Sequence, residues 1–237
     1  MNYAVLFAGG IGSRMTGSEI PKQFIEVAGK PILIHTILAF EKSEAIDGIS
    51  VICLESWIDR LKEYIDAFDI KKVKWIVPGA KTGQQSIYNG LKAVYDDSAD
   101  ASKDIVLVND GVRPFVSEKL IDECIRTVKE KGSCVTICPV PETIVEVPDL
   151  EDGRITDIPD RSRWFLSKAP QGFFLNELIE AHDKAMAENR FDCTNSAELM
   201  RRYGHSLYTV MDSPSNIKVT TPIDIAIMKV VINEGLY

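Results

Sequence analysis

The sequence predicts an α/β fold with a mostly parallel central sheet, on three observations. Short apolar runs rich in Val and Ile recur along the chain, and stretches with apolar residues at helical spacing stand between them. A glycine-rich segment directly follows the first apolar run, as at the carboxyl edge of an open parallel sheet, where ligands bind. The length of 237 residues suits a single domain over 1–237.

The first part of the chain alternates strands and helices. The predicted strands are apolar runs followed by polar residues, Gly or Pro, at residues 3–8, 49–54, 73–77, 105–108 and 134–140. The predicted helices carry apolar residues at i, i+3 and i+4 spacing, at residues 31–42, 57–68, 84–95 and 118–131. Because strands joined by helices run parallel, both faces of this sheet should be covered.

The alternation stops after Val140. Residues 142–147 and 154–157 flank an acidic turn at 149–153, which predicts a hairpin with no helix beside it. We therefore expect a projecting β-arm over about 141–168. Beyond it, the pattern predicts helices at 175–188 and 196–203, a strand at 206–210 and a last helix at 222–233.

Charge and cysteine content limit the functional classes. The chain has 27 Lys and Arg against 35 Asp and Glu, and the net charge of −8 argues against a general nucleic-acid or membrane-surface binder. Its five cysteines form neither a Cys-x-x-Cys pair nor a metal-binding spacing, so reduced thiols are expected. The first apolar run is too short for a signal peptide or a membrane span. We expect a cytoplasmic protein.

The glycine-rich segment 8–15 favours a phosphate ligand. Its glycines allow backbone N–H groups to approach phosphate oxygens closely, and Arg14 and Lys22 add two nearby cations. The P-loop pattern is absent, and Met15 stands where a dinucleotide fingerprint needs its third Gly, which weighs against kinases and dehydrogenases. A triphosphate fits best, although a tight strand-to-helix turn with solvated basic residues is the alternative that the loop alone leaves open.

Several motifs together resemble one enzyme family. Residues 6–15 and 21–24 resemble the opening of the cytidylyltransferases that act on methylerythritol phosphate and ribitol phosphate, and further matches follow in the family's order at 85–91, 109–114, 142–143, 169–171 and 216–220. The resemblance covers essentially the whole chain. It implies a Rossmann-like nucleotidyltransferase sandwich, dimerisation through the β-arm, and transfer of CMP from CTP to a phosphorylated alditol with release of pyrophosphate.

The resemblance also assigns site residues. Arg14 and Lys22 would be catalytic, stabilising charge on the α-phosphate and the leaving pyrophosphate. The nucleotide would be bound by Ala8, Gly9, Gly10, Gly12, Ala80, Lys81 and Ser86. The acceptor would be bound by Asp110, Arg113, Thr143, Arg161, Thr194 and Lys218, of which Thr143 and Arg161 lie on or near the arm, in a position to reach a neighbouring subunit. Mg²⁺ is expected with CTP, held mainly by the phosphates, so no protein metal ligand is assigned.

Three departures from the family's pattern and the choice of acceptor stay open. Gly83 stands where the family usually has Arg, Ala169 where it usually has Thr, and Asn195 where it often has Asp. The amino acids in the motifs are more similar to the ribitol phosphate branch, so D-ribitol 5-phosphate is the preferred acceptor. The alternative acceptor is 2-C-methyl-D-erythritol 4-phosphate, a precursor in isoprenoid synthesis. Lower alternatives are a sugar-1-phosphate nucleotidyltransferase and a non-catalytic nucleotide-binding module.

Overall fold

The computed structural model describes residues 1–10 and 20–236. The strands in this part of the chain are β1 (Asn2–Ala8), β2 (Glu26–Val27), β3 (Lys30–Pro31), β4 (Gly48–Cys53), β5 (Val73–Pro78), β6 (Ile105–Asp110), β7 (Ser133–Pro139), β8 (Phe165–Phe174) and β9 (Thr209–Met211). The helices there are α1 (Ile32–Lys42), α2 (Ile58–Ala67), α3 (Gly83–Asp97), α4 (Glu118–Lys131), α5 (Leu175–Ala187), α6 (Ser196–Arg202) and α7 (Pro222–Asn233).

The described residues form a seven-stranded sheet in the order β5-β4-β1-β6-β8-β7-β9. Neighbouring strands pair in parallel, except that β8 runs antiparallel to both β6 and β7. Strands β2 and β3 pair separately as a short antiparallel ladder. The prediction of an α/β fold with a mostly parallel sheet is therefore confirmed.

The sheet is apolar on both faces because helices cover both. Side chains alternate between the faces along β1: Leu6 packs in one cluster with residues of α1, α2 and α4, and Val5 packs in another with residues of α3, α5 and α6. This two-sided burial explains why the parallel strands are continuous apolar runs. A third cluster around Ile32 and Met228 holds α7 against the start of α1.

Strand β8 is the main element that sequence analysis missed. The predicted arm includes residues 165–168, yet these residues begin β8, an inner strand of the sheet. Pro170 and Gly172 hide the strand pattern, because both residues are unfavourable in strand interiors. Gly172 has a steric reason: a Cβ there would lie 2.8 Å from Leu107 Cδ2 and 2.8 Å from Val128 Cγ2.

The predicted arm leaves the sheet between β7 and β8, but its described residues pair at one isolated bridge, Glu146 with Asp157. Most of its side chains are exposed, including the apolar Val145, Ile155 and Ile158. A two-stranded ribbon with no second layer to bury such side chains is only marginally stable, which explains why the predicted strands 142–147 and 154–157 are not continuous.

The remaining predicted elements are found with small changes in their bounds. The predicted strand at 206–210 is β9, Thr209–Met211, and α7 begins and ends as expected. Thr221 caps α7, and its reciprocal hydrogen bonds with Asp224 form a capping box. No helix among the described residues is long and apolar enough to cross a membrane.

The substitution Gly90→Ala tests the packing of α3 on the sheet. A Cβ at Gly90 would lie 2.6 Å from Ile52 Cδ1 and 3.0 Å from Val5 Cγ1. Helix propensity alone would favour Gly90→Ala by about 1 kcal/mol, but overpacking costs about 1–3 kcal/mol. We expect the substitution to lower the free energy of unfolding by up to about 2 kcal/mol in urea titrations.

Gly83→Ala, in the same helix, is the matched control. A Cβ there meets Phe7 Cζ at 3.7 Å, an ordinary contact, so the free energy of unfolding should be unchanged or slightly higher. A Gly90→Ala variant that is about 1 kcal/mol more stable than the wild type, the full gain in helix propensity with no packing cost, would contradict the packing described here.

Candidate active site

A cavity of about 520 Å³ opens at the carboxyl edge of the sheet. Its wall is built from the ends of β1 and β6, the first half of β8, the start of α3, and the segment that leads into α6. Because β8 runs antiparallel to its neighbours, its first residues reach the same edge as the last residues of β6. The fold therefore brings together residues from nearly the whole length of the chain.

Asp110, the last residue of β6, is held by two cations in this cavity. Its Oδ2 accepts a hydrogen bond from Arg113 Nε at 2.8 Å, and its Oδ1 accepts one from Lys218 Nζ at 2.7 Å. Arg113 Nη1 also donates to the carbonyl of Asn216 at 3.1 Å. The motifs at 109–114 and 216–220 are thus parts of one structure, although they are a hundred residues apart.

The charge state of Asp110 follows from this arrangement. Burial raises the pKa of its carboxyl group, but Lys218 and Arg113 more than offset this effect and hold the pKa below its usual value. Asp110 is therefore a carboxylate at neutral pH. It can accept hydrogen bonds from ligand hydroxyls, but it has no proton to donate.

Lys168 is a further cation at this cavity that sequence analysis did not assign. Its Nζ donates to the carbonyl of Ser213 at 3.1 Å, and burial lowers its pKa. The described residues that line the cavity include three cations, Arg113, Lys168 and Lys218, and one carboxylate, Asp110. A net positive cavity in a chain with a net charge of −8 indicates an anionic ligand.

The start of the glycine-rich segment is fixed by Gln23. Its Nε2 donates to the carbonyl of Ala8 at 2.7 Å and to that of Gly10 at 3.2 Å. Gly9 packs against the end of β5, where a Cβ on Gly9 would lie 3.3 Å from Gly79 Cα. This close contact places residues 8–10 beside residues 79–80. The predicted site residues Gly12 and Arg14 lie outside the described residues, and Lys22 is half-buried in a short 3₁₀ turn, Lys22–Phe24.

The second predicted nucleotide segment is folded onto the start of α3. The backbone N–H of Ala80 donates to Ser86 Oγ at 2.8 Å, and that hydroxyl donates to the carbonyl of Thr82 at 2.8 Å. Thr82 also caps the helix, and Lys81 is exposed. Since Gly9 contacts Gly79, the structure brings the two predicted nucleotide-binding segments together.

The predicted acceptor residues fall into two groups. Asp110, Arg113, Thr194 and Lys218 all line the cavity. The Thr194 hydroxyl donates to Glu198 Oε2 at 2.8 Å, which orders the start of α6. Thr143 and Arg161 do not join them within one chain: both are exposed on the arm, where Arg161 Nη1 donates to the carbonyl of Pro141 at 2.9 Å.

The three positions that depart from the family's pattern, Gly83, Ala169 and Asn195, all line the cavity. Gly83 leaves space beside Phe7 that a longer side chain could fill, and Ala169 presents a methyl group where a hydroxyl is usual. The cavity wall also includes polar residues outside the predicted set, among them Asn109, His182 and Ser196. Asn109 lies in the motif at 109–114 that matches the family, but no local sequence signal marks His182 or Ser196.

Comparisons with known proteins extend over nearly the whole chain. The family model described as 2-C-methyl-D-erythritol 4-phosphate cytidylyltransferase matches residues 2–234. A Vibrio parahaemolyticus protein named ribitol-5-phosphate cytidylyltransferase is 43% identical over 98% of this chain and 96% of that protein. A Clostridium botulinum protein named 2-C-methyl-D-erythritol 4-phosphate cytidylyltransferase is 39% identical over 94% of each. The crystal structure of a 4-diphosphocytidyl-2C-methyl-D-erythritol synthase from Anaerococcus prevotii matches with a TM-score of 0.83 at 26% identity, over 98% of this chain and 96% of that one.

Lys218→Met tests the electrostatics of Asp110. Removing one of its two cations should raise the pKa of the Asp110 carboxyl, which can be followed by ¹³C NMR titration. A depressed carboxyl pKa contributes stability above the unfolded-state pKa of about 3.9 that is lost as pH falls through the folded-state pKa. At pH 7 the free energy of unfolding of the variant should therefore be about 1 kcal/mol lower than that of the wild type, a figure discounted for the exposure of Lys218. The difference in stability between the two proteins should become smaller in acid.

The control for this substitution is Lys92→Met, which removes an exposed ion pair with Asp96 on α3. Exposed pairs of this kind contribute little, so the free energy of unfolding should change less than in Lys218→Met. An Asp110 pKa that is the same in the wild type and in Lys218→Met would show that the two groups do not interact as described.

Proposed function

The chain belongs to the 2-C-methyl-D-erythritol 4-phosphate cytidylyltransferase family, and on that premise we propose that it transfers CMP from CTP to D-ribitol 5-phosphate. It is a CTP-dependent nucleotidyltransferase. The product would be the CDP-alditol, and pyrophosphate would be released. The observation that carries the proposal is the net positive cavity at the sheet edge, in which a single anionic side chain among the described residues is held between cations.

Three of the four charged side chains among the described cavity residues would bind the acceptor. Arg113 and Lys218 bind the acceptor phosphate, since an Arg fork and a Lys ammonium group both suit phosphate oxygens. Asp110 accepts hydrogen bonds from hydroxyl groups of the polyol, and Thr194 completes the site. A cavity of about 520 Å³ is within the usual size range for a small-molecule site.

The reaction depends on positioning the two substrates and stabilising the charge on the leaving group, and it needs no protein nucleophile. An oxygen of the acceptor phosphate attacks the α-phosphorus of CTP and forms a new P–O bond, while the bond from that phosphorus to the bridging oxygen breaks and pyrophosphate leaves. In this proposal Arg14 and Lys22 stabilise the charge that develops on the leaving group. The backbone of residues 8–10 with Gly12, and Ala80, Lys81 and Ser86, recognise the nucleoside.

Mg²⁺ is proposed to be held mainly by the phosphates of CTP. No group of three or more His, Cys, Asp or Glu side chains among the described residues could hold a metal ion. Asp110 is the one carboxylate among the described cavity residues, and both of its oxygens already accept hydrogen bonds from cations. Such a donor set fits an ion that enters with the triphosphate, because Mg²⁺ commonly combines few carboxylates with substrate phosphates.

Similarity supports ribitol 5-phosphate over methylerythritol phosphate. The relative named for ribitol 5-phosphate is more similar than the one named for methylerythritol phosphate, at 43% against 39%. The second acceptor is therefore kept as the alternative. The comparisons favour neither of the two lower alternatives, a sugar-1-phosphate nucleotidyltransferase and a non-catalytic nucleotide-binding module.

The assembly is also part of the proposal. A homodimer formed through the arm would bury its exposed apolar side chains and bring Thr143 and Arg161 to the partner's cavity. We further propose a single domain and a cytoplasmic location, which suits five buried cysteines that form no disulfide.

An acceptor assay tests the proposed reaction. Purified protein with Mg²⁺ and CTP should release pyrophosphate and form CDP-ribitol with ribitol 5-phosphate, and should be much slower with 2-C-methyl-D-erythritol 4-phosphate. Chelation of Mg²⁺ should stop turnover. Lys22→Ala, purified in parallel, should lose about 10²-fold or more in kcat and so excludes a contaminating enzyme. Turnover with methylerythritol phosphate alone would establish the alternative, and none with either acceptor would refute both.

Mixing two variants tests the shared site. Arg161→Ala and Lys218→Ala should each have little activity alone. After subunit exchange, random pairing should restore about a quarter of the wild-type sites, because each heterodimer has one site free of both substitutions. The control pair, Lys218→Ala with Asp110→Asn, should show no recovery, since these two side chains meet within one chain. A lack of recovery in the first pair would refute a shared site.

A further inference from the structure

For three buried polar atoms on residues that line the cavity, the described residues supply no hydrogen-bond partner. They are Asn109 Oδ1, His182 Nε2 and Ser196 Oγ, on side chains that belong to residues 1%, 2% and 3% exposed. Buried polar groups in folded proteins are nearly always paired, and leaving one unpaired is costly. Three such atoms come from three separate elements, β6, α5 and α6, whose residues line one cavity, where a bound ligand could pair with them.

Each of the three atoms is held in place by its neighbours. Asn109 Nδ2 donates to the carbonyl of Asp110 at 2.9 Å, which leaves its Oδ1 as an acceptor. His182 packs against the ring of Tyr88, with ring centroids 5.5 Å apart. Ser196 is the first residue of α6, and the next residue, Ala197, donates its N–H to Gln171 Oε1 at 2.9 Å. These contacts fix the positions of the groups without satisfying the atoms in question.

The chemistry of this set suits hydroxyl groups and not a second phosphate. Burial lowers the pKa of His182 to about 4, so its ring is neutral at pH 7. The set therefore offers a carbonyl oxygen that accepts, a hydroxyl that both donates and accepts, and a neutral imidazole nitrogen. None of these carries charge, and an amide oxygen would repel an anion. A hydroxyl group of a ligand can both donate to and accept from such partners.

We propose that Asn109, His182 and Ser196 bind the hydroxyl groups of the acceptor's polyol chain and set the enzyme's selectivity for it. This inference rests on the proposed function and extends it from the phosphate end of the acceptor to the rest of the molecule. Asp110, adjacent to Asn109, adds a fourth hydroxyl-binding group. Ribitol 5-phosphate carries four hydroxyl groups, whereas methylerythritol phosphate carries three and a methyl branch, which would leave one buried polar atom without a partner and so cost affinity.

Ser196→Ala and His182→Phe test the proposal. The first removes an atom that has no described partner, and the second keeps an aromatic ring against Tyr88, so both should fold. The KM for ribitol 5-phosphate should rise roughly 2- to 10-fold in each, as for loss of a neutral hydrogen bond, while the KM for CTP stays the same. Ser43→Ala is the matched control: its hydroxyl is also buried without a described partner but lies at the end of α1, away from the cavity, so neither KM should change.

Monodeoxy analogues of ribitol 5-phosphate give a readout that a structural role would not move. The wild type should lose affinity for the analogue that lacks the hydroxyl bound by Ser196, and Ser196→Ala should show no further loss with that analogue. Unchanged acceptor KM values in both folded variants, or a rise in the KM for CTP alone, would overturn the inference. Absence of any wild-type turnover with ribitol 5-phosphate is a different result, which would refute the proposed function and this inference with it.

Discussion

The placement of one carboxylate between two cations organises the candidate active site. Asp110 lies at the end of a central strand, where burial alone would disfavour its charge. Arg113 reaches it from the adjoining turn and Lys218 from the segment before the last helix. A buried charge is tolerable when it is paired and hydrogen-bonded, so the same interactions that hold the C-terminal segment against the sheet also place two cations at the cavity.

The strand order determines which residues can take part in this site. Because β8 is inserted antiparallel between β6 and β7, Lys168 and Ala169 reach the edge where Asp110 ends its strand. Gly9 and Gly79 allow two backbone segments to meet at the same edge without side chains between them. The result is a positively charged region beside a neutral, polar one, which matches a ligand that has a phosphate at one end and hydroxyl groups along its chain.

Much of this architecture could be predicted from the sequence, but for different reasons in different places. The parallel strands were recognisable because burial on both faces makes them apolar throughout, whereas Pro170 and Gly172 concealed β8. The ion pair of Asp110 with Lys218 has no local signature, and the family resemblance indicated only that both residues belong to the acceptor site. Lys168, His182 and Ser196 could not be assigned, since single residues without periodicity acquire a role only when the fold brings them to the cavity.

The most direct test of this account is a crystal structure of the protein with CDP-ribitol. The account predicts the polyol in the cavity with a hydroxyl group within about 3 Å of the Asp110 carboxylate and with the adjoining phosphate against Arg113 and Lys218. The cytidine should lie beside residues 8–10 and 80–86. A polyol bound elsewhere, with the three charged side chains contacting only one another, would contradict the central claim that this ion cluster forms the acceptor site.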